Sequence, residues 1–233
     1  MNSGIVIIPT YNEKENIAKL IPEIIAQNLP LDILVIDDNS PDGTSQVAGK
    51  LIIQFPQIHL ITRTGKLGFA SAYLTGFKYA LEHGYQFIWQ MDADLSHQPK
   101  YLQDFWQKIQ ESDLVVGSRY VPGGGIEGWP WFRLFLSKFA SLYAQIILGV
   151  KLKDFTGGYN CYRREVLEAI DLAKIISQGY SFLLELKYKT ILRNFKYCEI
   201  PIIFVERQQG KSKISRKIIW EAAINCWKLR FGL

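Results

Sequence analysis

The segment Ile88-Trp89-Gln90-Met91-Asp92-Ala93-Asp94 places two carboxylates one residue apart at the end of an apolar run. That run reads as a buried strand, and in open α/β sheets ligands collect at the carboxyl ends of strands. Hard divalent cations such as Mg²⁺ take oxygen ligands and are commonly shared between one or two carboxylates and substrate phosphates. Asp92 and Asp94 therefore have the chemistry of a metal–diphosphate clamp. An acidic pair at a strand end also serves as a solvated loop start or a helix cap, so its meaning depends on what surrounds it.

Other chemistry-bearing residues fall at the same kind of position. Pro9-Thr10-Tyr11-Asn12-Glu13 follows the run Ile5–Ile8 directly. Tyr11 can stack on a base, and Glu13 can accept hydrogen bonds from base or ribose. Asp38 follows Ile33–Ile36, where an acidic residue often meets a ribose hydroxyl. The first βα turn contains no G-x-G-x-x-G and no glycine to admit a pyrophosphate close to the backbone, which argues against a dinucleotide-dependent hydride transfer. Arg63, Lys66 and Gly68 come after a third strand, and Arg119 ends the strand that begins at Leu114. Arg207, Lys211 and Lys213 punctuate a loop after Ile202–Val205, with Gly210 among them. Each basic group is either solvated surface charge or an attractor for phosphate. Diphosphate chemistry needs cationic groups around the leaving oxygens. His59 and His83 read as structural or exposed, and His97, just past Asp94, as a capping or supporting residue. No H-x-H, H-E-x-x-H or G-x-S-x-G is present, which argues against a zinc site or a serine nucleophile.

The elements that must position these groups alternate strand and helix. Strands are expected at 5–8, 33–36, 58–62, 87–91, 114–116 and 202–205. Helices are expected after Asn12, which can cap the first, and at 44–54, 69–83 and 99–111. Pro22 predicts a kink or early end in the first helix, and Pro99 suits a first helical turn. Gly123-Gly124-Gly125 reads as a mobile loop. The alternation implies an α/β fold with a mainly parallel sheet. Two segments look amphipathic. Phe132–Leu148 carries Phe, Leu and Ile with Arg133 and Lys138, preceded by Trp129 and Trp131. Ile214–Phe231 sets Ile218, Ile219, Trp220, Ala222 and Trp227 among basic residues. Such a helix lies in a lipid headgroup region or packs its apolar face on its own domain.

The 233 residues suffice for one large domain with its own core. Three cysteines, Cys161, Cys198 and Cys226, form no C-x-x-C and suit a reducing compartment. Nothing at the amino terminus resembles a signal peptide. A net charge of +5 implies an anionic partner: nucleic acid, acidic lipid or a phosphorylated small molecule. No nucleic-acid-binding motif accompanies the charge. Hydrophobic residues make up 48% of the chain, yet no run approaches the roughly 20 apolar residues of a membrane-spanning helix. The expectation is a protein that sits on a membrane rather than crossing it.

Taken in order, P-T-Y-N-E at 9–13, D-D-N-S-P-D-G-T at 37–44, K-L-G at 66–68, M-D-A-D-L-S-H at 91–97, G-S-R-Y at 117–120, D-F-T-G-G-Y at 154–159, E-I-P-I-I-F-V-E-R at 199–207 and G-K-S-K at 210–213 resemble the family-2 glycosyltransferases of GT-A fold. More narrowly they resemble the branch that makes dolichol-phosphate (polyprenol-phosphate) mannose. The resemblance implies a Rossmann-like catalytic domain over 1–213, including an amphipathic helix at about 132–148, with an interfacial helix at 214–233. It implies that Pro9, Tyr11, Glu13, Ile36, Asp38 and Lys66 belong to the donor-nucleotide site, the donor being GDP-mannose. Asp92, Ala93 and Asp94 would meet metal and diphosphate, with Mg²⁺ or Mn²⁺ as cofactor. Ser96 stands where some relatives have Gln as a third metal ligand. Arg119, Arg207 and Lys213 would contact donor phosphates or sugar, and Asp92, Asp94, Arg119 and Arg207 would form the catalytic group. Arg133 and Ser137 match positions associated with the lipid phosphate. The implied reaction is inverting transfer of mannose to a polyprenyl phosphate at the cytoplasmic face of a membrane, with a membrane subunit as a further possible partner. A polyprenyl-phosphate glucosyl- or N-acetylglucosaminyltransferase using a UDP-sugar is the alternative, and a non-catalytic membrane adaptor of the same fold a more distant one.

Overall fold

The computed structural model describes residues 3–175, 177, 179–206 and 216–231. The expected alternation is present. β1 (Gly4–Thr10), α1 (Lys14–Ile25), β2 (Leu31–Asp37), α2 (Thr44–Gln54), β3 (Ile58–Thr62), α3 (Phe69–Glu82) and β4 (Phe87–Gln90) follow one another. A 3₁₀ turn at Pro99–Tyr101 leads into α4 (Leu102–Ile109), then β5 (Leu114–Ser118), β6 (Gly125–Glu127) and α5 (Trp131–Leu148). The remainder is β7 (Asn160–Arg163), α6 (Arg164–Ala169), α7 (Tyr180–Leu192), β8 (Tyr197–Pro201), β9 (Ile203–Val205) and α8 (Arg216–Phe231).

The central sheet runs β3-β2-β1-β4-β7-β5-β8, and only β7 runs antiparallel to its neighbours. β1 and β2 are continuous apolar runs because helices cover both faces of a parallel sheet. Alternate side chains go to opposite layers. Ile5, Ile7, Leu34 and Ile36 face Tyr73 and Phe77 of α3, Ala144 and Leu148 of α5, and Phe182 and Leu186 of α7. Val6, Ile8, Ile33 and Val35 face Ile17, Leu20, Ile21 and Ile24 of α1 and Phe105 of α4. The carboxyl ends of β1, β2, β3, β4 and β5 consequently share one edge.

Several local expectations are corrected. Asn12 does not cap α1: it takes a left-handed φ of 61°, its amide donates to Ser40 Oγ, and the cap position is Glu13. The helix runs on through Pro22 to Ile25. The glycine triplet is not wholly a loop, because Gly125 opens β6, which pairs in parallel with β9. The antiparallel β7 falls outside the expected pattern, as do α6 and α7. All three cysteines are free, Cys161 and Cys226 buried.

Candidate active site

β4 delivers the paired aspartates. The Met91 amide donates to the Ile7 carbonyl at 3.1 Å, the last bond holding this stretch to β1. Asp92 and Asp94 then emerge half-buried at the edge. The Tyr73 hydroxyl donates to Asp92 Oδ1 at 3.3 Å, and burial together with the Asp92 charge pushes that phenol well above its usual range, so it stays a donor. Leu95 takes a left-handed φ of 63°, a conformation unfavourable for a branched residue. This turn lets the Ser96 amide (3.1 Å) and hydroxyl (2.5 Å) both donate to Asp94 Oδ1. Ser96 is buried with its hydrogen directed at the carboxylate.

His97 is fully buried and accepts the Asp92 backbone N–H on Nδ1 at 3.0 Å. Burial, reinforced by Arg119 and Lys187 against the aspartates Asp94 and Asp154, pulls its pKa down to about 4. The ring is neutral at pH 7 and acts as a fixed acceptor, stacked on Tyr159 at 5.0 Å between ring centres. Gly158 closes this side: a Cβ there would stand 3.4 Å from Asp92 Oδ2 and 3.3 Å from His97 Cε1. Two partly exposed carboxylates at a strand end suit a hard cation that completes its shell from substrate oxygens. Among the described residues no three His, Cys, Asp or Glu converge, so there is no closed protein cage. The donor set fits Mg²⁺ or Mn²⁺ shared with a diphosphate.

The β1 and β2 ends form the adjoining flank. Asp37 is fully buried and accepts from Thr10 Oγ1 (2.9 Å), the Ser40 amide (3.0 Å) and hydroxyl (2.5 Å), and Ser45 Oγ (2.6 Å). It is a hub that joins the two turns. Asp38 is buried against Arg63, which donates to it through Nε at 2.6 Å and also through Nη2. Arg63 reaches on to Ser71 Oγ and the Gly68 carbonyl, fixing the loop that carries Lys66. Lys66 Nζ lies 4.0 Å above the Tyr11 ring, so these two candidates do meet. Glu13 accepts from Asn16 Nδ2 at 2.6 Å. Pro9 is half-buried beside them, whereas the Ile36 side chain is sealed in the core and Ala93 is buried. Any part Ile36 plays in the cleft must come through its backbone.

Arg119, at the end of β5, forms a buried forked pair with Asp154, Nε to Oδ2 and Nη2 to Oδ1 each at 2.7 Å, and also donates to Thr156 Oγ1. Burial opposes the ionised Asp154 carboxylate, but Arg119 and Lys187 together hold its pKa down at about 2. Arg133 donates to Glu206 Oε1 at 2.6 Å, and its guanidinium lies 3.9 Å from the centre of the Trp129 ring. Ser137, one turn further along α5, accepts from the Tyr120 hydroxyl at 2.6 Å. An aromatic path joins this end to the aspartates: His97 to Phe204 at 5.7 Å, then Phe204 to Trp129 at 5.5 Å. Arg207, Lys211 and Lys213 lie outside the described residues. Sequence reasoning assigned no role to Asp37, Asp154 or Lys187, and it read Arg63 as surface charge or an attractor for phosphate, whereas Arg63 is buried and paired with Asp38. Asp37, in D-D-N-S-P-D-G-T, and Asp154, in D-F-T-G-G-Y, carried a readable signal.

Residues 5–171 match Glycosyl transferase family 2. The chain is a family-2 glycosyltransferase. It is 45% identical over 230 residues to the polyprenol monophosphomannose synthase of Mycolicibacterium smegmatis, covering 97% of this chain and 87% of that one. It is 43% identical over 227 residues to the undecaprenyl-phosphate mannosyltransferase of Micrococcus luteus, covering 97% and 93%. Among solved structures, glucosyl-3-phosphoglycerate synthase from Mycobacterium tuberculosis superposes with a TM-score of 0.71 at 17% identity, covering 100% of this chain and 81% of that one. A mannosyltransferase from Pyrobaculum calidifontis, solved with GDP-Man and Mn²⁺, gives 0.62 at 17% identity, covering 97% and 69%. These neighbours establish the GT-A fold of this family-2 glycosyltransferase.

Proposed function

We propose that this glycosyltransferase moves mannose from GDP-mannose to a polyprenyl phosphate held in a membrane, inverting the anomeric centre. The observation that carries the reading is the two-sidedness of α5. With about 100° per residue, Arg133 and Ser137 fall on the stripe that includes buried Ser141, Ala144 and Leu148. Trp131, Phe132, Phe135, Leu136, Phe139, Leu142 and Ile146 are exposed on the opposite side, Trp131 at 81% and Ile146 at 69%. One helix thus offers an apolar face outward and a cation–hydroxyl pair inward, as a lipid carrying a phosphate requires. α8 adds exposed Ile224, Trp227 and Phe231, and Trp227 Nε1 donates to Tyr143 Oη at 2.7 Å, tying the helices together. No helix among the described residues is long and apolar enough to cross a membrane; the exposed apolar faces of α5 and α8 support peripheral attachment, which we place at the cytoplasmic face. The names of the two relatives at 43% and 45% identity agree with the acceptor class.

Tyr11 and Lys66 would receive the nucleoside side of the donor, and Asp92 with Asp94 the diphosphate side. A divalent cation held by these aspartates, when bound, neutralises the developing charge on the departing GDP. Arg133 and Ser137 orient the acceptor phosphate. Its second pKa is about 6, so at neutral pH it is largely dianionic and needs no general base. A phosphate oxygen forms the new bond to the anomeric carbon as the bond to the donor β-phosphate breaks, and GDP leaves with the electron pair. His97 and Tyr73 keep Asp92 in place, and Ser96 fixes Asp94.

The test is a donor panel. Protein, Mn²⁺ and polyprenyl phosphate in liposomes are supplied with labelled GDP-mannose, UDP-glucose or UDP-N-acetylglucosamine. Label should enter the lipid phase from GDP-mannose; transfer from a UDP-sugar alone would reject the donor assignment.

A further inference from the structure

Lys187 is fully buried in the apolar stretch of α7, where a charge is costly unless paired and hydrogen-bonded. Its ammonium donates to three backbone carbonyls of one turn: Asp154 at 3.0 Å, Phe155 at 3.3 Å and Gly157 at 2.7 Å. An ammonium has three donors, and all are used within this turn. The same turn is stitched from outside by Glu199, which accepts the Lys153 and Asp154 amides, and from within by the Gly157 amide on Asp154 Oδ1. It leads to the catalytic edge in three ways. Asp154 holds Arg119. The Gly157 carbonyl also accepts Asn160 Nδ2, which bonds Gln90 Oε1 at the end of β4. Gly158 lies beside the aspartate, where an added Cβ would come within 3.4 Å of Asp92 Oδ2 and 3.3 Å of His97 Cε1.

We infer that Lys187 is a positioning residue for the diphosphate end of the site: it clamps the 154–157 turn so that Asp154 fixes Arg119 and Gly158 keeps its bare backbone beside Asp92. The inference rests on the proposed function for its ligands, but not for its geometry. The three carbonyls come from a segment some thirty residues earlier, and the groups charged toward the ammonium are Asp154, Arg119 and Glu199. Without the ammonium, the Asp154, Phe155 and Gly157 carbonyls lose the donor that gathers them, and the turn that sets Asp154 against Arg119 and Gly158 beside Asp92 is free to shift.

The experiment measures Mn²⁺ binding in the presence of GDP, by electron paramagnetic resonance of the free ion, for wild type, Lys187→Met and Ile24→Ala. Ile24 is buried on α1 across the sheet and serves as the control for general destabilisation. Lys187→Met should weaken Mn²⁺ binding at least tenfold and raise the KM for GDP-mannose, with the KM for polyprenyl phosphate unchanged. Ile24→Ala should lower Tm and leave Mn²⁺ binding as in wild type. Native Mn²⁺ affinity in Lys187→Met, with only a lower Tm, would overturn the inference and leave the proposed function standing. Should the methionine variant fail to fold, Lys187→Gln keeps N–H donors without the charge; at least threefold weaker binding is expected, and native affinity again overturns the inference. Wild-type protein that takes up no Mn²⁺ with GDP would overturn both readings.

Discussion

Arg133 and Glu206 pair at 2.6 Å on the inner side of α5, with Trp129 stacked on the guanidinium. Under the proposed function, this carboxylate occupies the anion position that the acceptor phosphate would take. Both side chains are partly exposed, so the pair is weak enough to exchange. Glu206→Gln should lower the KM for polyprenyl phosphate by about two- to fivefold, whereas Arg133→Ala should raise it about tenfold or more. Steady-state kinetics with liposome-borne acceptor distinguishes the two; a higher KM in Glu206→Gln would show that Glu206 orients Arg133 rather than competing for it.

The outward face of α5 gives a second prediction. Burying a phenylalanine side chain in an apolar phase contributes roughly 2 kcal/mol. Phe135→Ser with Phe139→Ser should therefore reduce liposome co-sedimentation by well over tenfold and leave Tm within a degree or two. A large loss of Tm would mean that this face packs against protein.

Acid should expose the Asp154 pairing. Its folded pKa, about 2, lies below the ordinary 3.8, so its stabilising effect is complete above about pH 4 and is lost as pH falls through about 2. The Tm gap between wild type and Asp154→Asn should be constant at neutral pH and narrow between pH 4 and pH 2. A gap that does not change with pH would assign the effect to shape rather than charge.

Arg63→Ala should cost about 3–5 kcal/mol of stability, because it strands the buried Asp38 carboxylate. It should also loosen the loop carrying Lys66. Chemical denaturation gives the first effect, and GDP binding the second. A loss under 1 kcal/mol would show that Asp38 finds water or another partner.

How far these features could be read in advance follows from where their partners lie. The runs Ile5–Ile8 and Ile33–Ile36 were legible because a parallel strand covered on both faces is apolar at every position. The edge that collects Asp92, Asp94 and Arg119 followed from the strand alternation. β7 was hidden, since its buried Asn160 is paired with Gln90, seventy residues earlier, as well as with the Gly157 carbonyl. Asp37 and Asp38 are chemically identical in sequence, and only the pleat decides that the first organises the turns and the second pairs with Arg63. Lys187 carries no signal in the sequence because its partners are carbonyls, which leave no mark in the side-chain pattern. The aromatic content around Trp129 was visible, but not that α5 would turn Arg133 inward and Phe135 outward.

The central claim is that Asp92 and Asp94 hold the donor diphosphate beside a membrane-borne acceptor. Transfer of labelled mannose from GDP-mannose to polyprenyl phosphate in liposomes, compared between wild type and Asp94→Asn at equal liposome occupancy, tests it most directly. The account predicts lipid-linked mannose with wild type and at least a hundredfold loss with the variant. Equal turnover by the two proteins would contradict it.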